Sequence, residues 1–263
     1  ERKRALDRER ETHLALVESQ RALAAELAAA AQYVRSLLPA PLTGALSASW
    51  RFLPSAQLGG DALSYQWLDE HHFAFAVLDV CGHGVAPALH ASSVVNILRT
   101  RLLPDTAFRE PAEVLSSLNR RFLMEANHGL YFTMWYGVLH LPSRRLRYAN
   151  GGHPSPVLFP GSGASATPLP GRGLVVGYGT GSTWEQGERI LAPGDRLYLF
   201  SDGLYELKAT PGGVPVYEDF VQILAGVPPK GAPDLDAVLE AMLATADVET
   251  FDDDVTLLAL TFA

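Results

Sequence analysis

Four aspartates in this sequence stand where chemistry could be done. Asp61 follows a double glycine, Asp79 ends the apolar run 73–78 (FAFAVL), Asp202 follows 196–200 (RLYLF), and Asp253 precedes the apolar ending 255–260 (VTLLAL). A carboxylate at the end of a buried strand needs a reason, because unpaired charge at low dielectric is costly. Any one of the four could cap a helix or accept turn amides. Four hard oxygen donors at strand ends suggest instead that they converge on divalent cations. Without a cation their repulsion raises their pKa values and weakens the fold. All-oxygen ligation, with no cysteine or histidine cluster, favours magnesium or manganese over zinc. Spacing alone carries the reading to a metal-dependent hydrolase or phosphotransferase.

These residues need strands to hold them. The run 73–78 is short and rich in Phe and Val, so it reads as a buried strand leading into the turn Cys81-Gly82-His83-Gly84 and a helix over 85–103. Strands are expected at Leu46–Leu53, Tyr65–Leu68, Phe132–Leu141, Arg145–Ala149, Val157–Phe159 and Arg196–Phe200, with a final strand after Asp252-Asp253-Asp254. Further helices are expected from Pro111 to about Ala126 and over 217–225 and 234–245. Residues 160–187, rich in Gly, Ser and Pro, read as a mobile surface excursion. Strands joined mostly by hairpins, with helices arriving in pairs, argue for α+β: an antiparallel sandwich with helices outside.

Residues 1–38 are almost free of Gly and Pro, and Ala, Leu, Glu and Arg dominate them, which favours one long helix ended by Pro39 and Pro41. Leu16, Gln20, Leu23, Leu27, Ala30, Val34 and Leu37 form a heptad seam, preceded by a weaker stretch through Leu6, Glu9 and His13. The seam fits a dimerising coiled coil, or an amphipathic helix packed on its own domain. Two units are therefore expected, a helical linker over 1–40 and a folded domain over 41–263.

With 263 residues, 48% of them hydrophobic, the chain can bury a sizeable core. A net charge of −8 and the lack of a basic stripe beyond the first ten residues argue against a nucleic-acid partner. Cys81 is the single cysteine, which excludes an internal disulfide and fits a reducing, cytoplasmic setting. No apolar run is long enough to span a bilayer. The chain starts at Glu1 rather than Met, so a longer parent protein is expected.

The motifs fall in the order of a known family. LGGD at 58–61, LDVCGHGVAPAL at 78–89, FTMWYGVL at 132–139, LRYANGGHPSPVL at 146–158, PGDRLYLFSDGLYE at 193–206 and DDDVTLLAL at 252–260 together resemble a bacterial, metal-dependent PPM-type serine/threonine phosphatase of the SpoIIE/RsbU family. The resemblance covers about 45–263. It implies an α-β-β-α sandwich of two mainly antiparallel sheets with two divalent cations, manganese or magnesium, at one end. A water bridging the ions would attack phosphorus in line.

Carried over residue by residue, the resemblance makes Asp61 a ligand of one ion and Asp79 the bridge. The backbone carbonyl of Val80 completes one shell, and Asp202 and Asp253 hold the other ion. Asp252 and Asp254 compete for the last role, but Asp253 stands three residues before Thr256, as the motif asks. The family's second acid, three residues after the GGD aspartate, is Ser64 here, which would lower metal affinity if that acid ligates. Where many eukaryotic relatives carry a histidine, two residues after the bridging aspartate, this chain has Cys81, read as a small filler. His83 and His153 are read as turn and hydrogen-bonding residues, and His71-His72 as a solvated hairpin.

The resemblance further implies a phosphorylated protein substrate of the STAS-domain, anti-anti-sigma type. It also implies an upstream sensor or receiver module in the full-length chain, coupled through a homodimer of the N-terminal helix. The alternative, favoured by Ser64, is a non-catalytic phosphatase-like module that binds a partner.

Overall fold

A computed structural model describes residues 2–207, 217–227 and 233–263. The expected long helix is α1, Arg2–Ser36, about 52 Å long at 1.5 Å per residue. Its C-terminal end is tied to the sheets: Trp50 Nε1 donates to the Pro39 carbonyl at 2.9 Å and the Tyr65 hydroxyl to that of Ala40 at 2.7 Å. The seam divides there. Leu27, Val34 and Leu37 are half-buried, whereas Leu16 and Leu23 are 54% and 58% exposed.

The described residues then form β1 (Leu46–Leu53), β2 (Asp61–Trp67), β3 (His72–Val80), α2 (Val85–Thr100), α3 (Pro111–Arg121), β4 (Phe132–His140), β5 (Arg145–Gly151), β6 (Val157–Phe159), β7 (Thr167–Pro168), β8 (Gln186–Ile190) and β9 (Arg196–Phe200). α4 (Tyr217–Ala225), α5 (Leu235–Ala246) and β10 (Val255–Phe262) complete them. One sheet runs β2-β3-β4-β5-β8 and the other β1-β10-β9-β6-β7, with every described pairing antiparallel.

Period-two alternation sorts the core into three layers. Leu63, Phe75, Val77 and Trp135 meet Leu197, Leu199, Leu258 and Leu260 between the sheets. Ala62, Ala76, Leu78 and Val80 turn the other way, under Val94, Leu98, Val114 and Leu118 of α2 and α3. Tyr198, Phe200 and Leu257 pack beneath Phe220, Leu224, Val238 and Met242 of α4 and α5. The expected helix–sheet–sheet–helix sandwich is the observed one.

Four local expectations shift, the first in α3, which ends at Arg121 rather than near Ala126 because the chain breaks there into a separate 3₁₀ turn, Met124–Ala126. β2 begins at Asp61 instead of Tyr65, because Ala62 and Leu63 are each buried on opposite faces and extend the strand. α2 stops at Thr100, where Arg101 takes a left-handed conformation (φ 56°) and its amide closes on Ile97 and Leu98. The stretch 160–187, expected to be loose, is pinned by side chains. Val176 and Phe132 exchange backbone hydrogen bonds of 2.8 and 3.0 Å, Asn119 accepts from the Gly177 amide at 2.7 Å, and Trp184 donates to Leu174.

Candidate metal centre

Asp61 and Asp79 stand directly opposite each other in the β2–β3 register. Paired residues of adjacent strands point to the same face with Cβ atoms roughly 5 Å apart. That face is set by parity. Asp61 shares it with Leu63 and Tyr65, and Asp79 with Val77 and Phe75, all of which lie between the sheets. Both carboxylates therefore look into one end of the sandwich. Asp61 is buried and Asp79 half-buried.

The other sheet answers from across the gap. Ser201 follows β9 in the parity of Leu197 and Leu199, and Thr256 occupies β10 in the parity of Leu258. Both hydroxyls sit beside the Asp61 carboxylate and favour its charged form. Ser201 also locks β9 to β10: its hydroxyl donates to the Asp254 carbonyl at 3.2 Å and accepts from the Thr256 amide at 2.9 Å. Asp202 opens a short 3₁₀ turn, Asp202–Leu204, immediately after the β9 strand end. A Cβ placed on Gly203 would fall 2.2 Å from the Asp254 carbonyl oxygen and 3.2 Å from the Asp253 Cβ, so only glycine lets these two segments close.

The three consecutive acids separate cleanly. Asp253 is exposed and accepts the Asp254 amide at 2.8 Å. Asp254 is buried and accepts from the Ser55 amide and hydroxyl and from the Gly60 amide. With both its oxygens engaged, Asp254 is a clamp on the Gly59-Gly60 turn, whereas Asp252 and Asp253 are both exposed.

Electrostatics mark the end of the sandwich. Burial, then repulsion from Asp79, holds the Asp61 carboxyl well above the usual carboxylate range. Burial, then Asp202, Asp253 and Asp254, pushes Asp79 up to about 8. Asp202 is raised as well, by burial and then by Glu206 and Asp253. Asp61 Oδ2 is buried without a hydrogen-bond partner. An orphaned carboxylate oxygen among mutually repelling acids fits a cation site. Among the described residues, no three His, Cys, Asp or Glu side chains already surround a single point. The acids form two pairs, Asp61 with Asp79 and Asp202 with Asp253, with Asp79 influenced by both members of the second. Two carboxylates with the remaining positions left to water suit magnesium, which dehydrates reluctantly.

The Val80 carbonyl lies against Gly60, where a Cβ would meet it at 2.5 Å. The Cys81 amide donates to Tyr131 at 3.0 Å and its Sγ accepts from the Tyr131 amide at 3.4 Å, which extends the β3–β4 ladder and leaves the residue half-buried rather than fully buried as a filler would be. His83 is exposed on the turn before α2. His153 is buried, bonded through Nδ1 to the Thr133 hydroxyl at 2.8 Å and through its backbone to the Asn150 side chain. Thr133 is the register partner of Asp79, so His153 braces β4, the strand next to Asp79. At the opposite end, Asp69 accepts from the His71 and His72 amides and closes the expected hairpin.

Ser64 lies on the other side of the sheet. It is three residues from Asp61, pairs with Ala76, and so faces α2 rather than the inter-sheet gap. Its side chain therefore points away from the gap into which Asp61 and Asp79 look. Sequence reasoning overlooked Ser201, Thr256 and the clamp formed by Asp254. The parity of the two final strands carried the signal for the hydroxyls; nothing local carried it for Asp254, whose partners lie about 200 positions earlier.

The sequence profile of the family described as "Stage II sporulation protein E (SpoIIE)" matches residues 69–263, so Asp61 lies just outside the match and is linked to it by the β2–β3 pairing. "Phosphoserine phosphatase RsbU" of Bacillus subtilis (strain 168) is 28% identical over 202 residues, covering 76% of this chain and 59% of that protein. The chain thus spans about three fifths of that relative's length. The "SiaA-PP2C domain of Pseudomonas aeruginosa" superposes with a TM-score of 0.78 at 22% identity, over 93% of this chain and 99% of that one. The RsbU and RsbW domains of Rv1364c from Mycobacterium tuberculosis give 0.67 at 27% identity, over 84% and 61%. The chain belongs to the SpoIIE family.

Proposed function

We propose that this chain is a magnesium- or manganese-dependent protein serine/threonine phosphatase acting on a phosphorylated signalling protein, a STAS-domain anti-anti-sigma factor. The observation that carries the reading is the opposed pair Asp61 and Asp79, Asp61 buried with an unpartnered oxygen and Asp79 half-buried, beside the acids Asp202 and Asp253. Likeness to a phosphoserine phosphatase supports it.

In this reading Asp61, Asp79 and the Val80 carbonyl would hold one cation, and Asp202 and Asp253, with Asp79, would hold another. Such ions, when bound, supply Lewis acidity to a phosphoryl oxygen and lower the pKa of the attacking water. The chain's own part is positioning. Ser201 and Thr256 flank the Asp61 carboxylate and partly offset the burial and repulsion that raise it, Asp254 fixes the turn in front of it, and Thr133 with His153 holds β4 against Asp79. Burial at the sandwich end lowers the local dielectric, which strengthens each of these interactions. No helix among the described residues is long and apolar enough to cross a membrane. The exposed half of the α1 seam pairs with a second copy and couples an upstream sensory module to the site.

The test is phosphate release from a phosphoserine STAS protein with manganese titrated, beside Asp79→Ala. Metal-dependent release that disappears in the variant is expected. Metal binding abolished by the same substitution, with no release by the parent, would instead favour a module that binds without turnover. Neither binding nor release would remove the metal-site reading.

A further inference from the structure

A groove of about 530 Å³ opens beside Asp253, between α5, the end of β1 and the 249–253 loop. Its floor is apolar: Leu239 is buried, and Leu243 and Phe251 are partly covered. Its rim is acidic. Glu240 and Glu249 are exposed there, and Asp253 belongs to the groove and to the candidate metal centre at once. Asp236, also on the rim, is neutralised by a bidentate pair with Arg51. Among the described residues that line the groove there is no Lys or Arg. Ser55, on its β1 side, is bonded to Asp254, so this wall is continuous with the clamp on the Gly60 turn.

We propose that this groove is the substrate-specificity site: it takes the segment next to the phosphorylated residue, and it selects a segment carrying Lys or Arg together with an apolar anchor. This rests on the phosphatase reading above. The phosphoryl group is negative and is claimed by the metals; beyond it, the surface turns acidic on the rim and apolar on the floor. A flanking segment of the opposite charge, with one side chain to bury against Leu239 and Phe251, complements both features. An acidic flank meets two glutamates that have no ion pair among the described residues and is repelled, so the rim discriminates by exclusion as well as attraction. Rim charges act mainly on encounter, so the preference belongs in KM and weakens with salt.

The experiment compares two phosphoserine peptides, one flanked by Arg and Leu and one by Glu and Ser, on the manganese-loaded parent and on Glu240→Lys/Glu249→Lys. p-Nitrophenyl phosphate serves as a substrate too small to reach the groove. Peptide affinity is read separately by fluorescence anisotropy, which needs no turnover. The parent is expected to favour the basic peptide by roughly tenfold in kcat/KM, through KM, and to bind it more tightly. The variant should lose or reverse that preference in both readouts while p-nitrophenyl phosphate turnover stays unchanged. Equal use of both peptides by the parent, or an unaltered preference in the variant, overturns the groove assignment. If the two glutamates instead change the association state of the chain, the groove belongs to a second copy and the assignment is likewise overturned. Failure to hydrolyse p-nitrophenyl phosphate, with charge-dependent peptide binding intact, removes the phosphatase reading and leaves the groove standing.

Discussion

Asp254 reaches from the start of β10 to the Gly60 amide at 2.7 Å and so ties the last strand of the chain to the residue before Asp61. Its other oxygen takes the Ser55 amide at 2.8 Å. There is no room for anything else: a Cβ on Gly59 would lie 2.2 Å from the Asp254 carboxylate. Asp254→Ala leaves a buried amide unpaired and should cost about 2–4 kcal/mol in urea unfolding, at the upper end for a charged acceptor. Calorimetry should show weaker manganese binding as well, because the Gly60 turn that presents Asp61 loses its anchor. Unchanged stability would show that the turn holds its shape without the clamp.

Burial and mutual repulsion act against Asp61 and Asp79 when no cation is bound. Removing one charge relieves the other. Asp79→Asn, stripped of metal at neutral pH, should therefore be more stable than the stripped parent, by an amount on the order of 1–3 kcal/mol. Manganese should raise the melting temperature of the parent and leave the variant where it was, since only the parent binds the ion in its folded state. A less stable metal-free Asn variant would mean that the two carboxylates are reconciled by the protein alone.

Much of this arrangement was legible in the sequence, and the parts that were not share a cause. Asp79 could be recognised because a continuous apolar run ended in it, and Asp202 for the same reason. Asp61 was harder to place, as Asp61-Ala62-Leu63-Ser64 does not alternate in polarity; the strand there is buried on both faces. The stretch 160–187 read as loose because its anchors are single residues, Val176 and Trp184, gripped by Phe132, Asn119 and backbone rather than by a periodic face. The division of labour between Asp253 and Asp254 turns on which neighbour's side chain points inward, a matter of one residue's rotation about the strand.

Ser64 offers a direct check on that geometry. It is buried on the helix side of β2, under α2, where a carboxylate has no cation to meet. Ser64→Asp should destabilise the fold by roughly 2–4 kcal/mol through an unpaired buried charge and should leave manganese affinity unimproved. Tighter binding in the variant would show that position 64 reaches the metal centre.

His153 supplies a pH signature independent of the metal ligands. Burial drives its imidazole down to about 3, so the folded state stays neutral where the unfolded chain protonates near 6.5. The unfolded state binds the extra proton between those values, so stability is full above about 6.5 and falls as the pH drops toward 3. His153→Gln should be less stable at pH 7, through loss of the bond to Thr133, but should show a shallower decline in urea midpoint between pH 6.5 and 4.5. Parallel declines for parent and variant would mean that His153 takes up its proton without leaving the fold.

The α1 helix leaves its own prediction in which side chains it fails to cover. Leu27 and Val34 are half-buried, while Leu16 and Leu23 stay more than half exposed with Gln20 between them. Leucines repeating along one stripe of a projecting helix are covered most simply by the same stripe of a second copy. A sedimentation experiment on the chain should show a dimer at tens of micromolar, and Leu16→Glu/Leu23→Glu should convert it to a monomer. The urea midpoint of the sandwich should not move, because neither side chain touches it. A parent that is already monomeric would instead leave the stripe to some other cover, and the coupling of α1 to the site would then have to run through the Pro39 carbonyl held by Trp50 and the Ala40 carbonyl held by Tyr65.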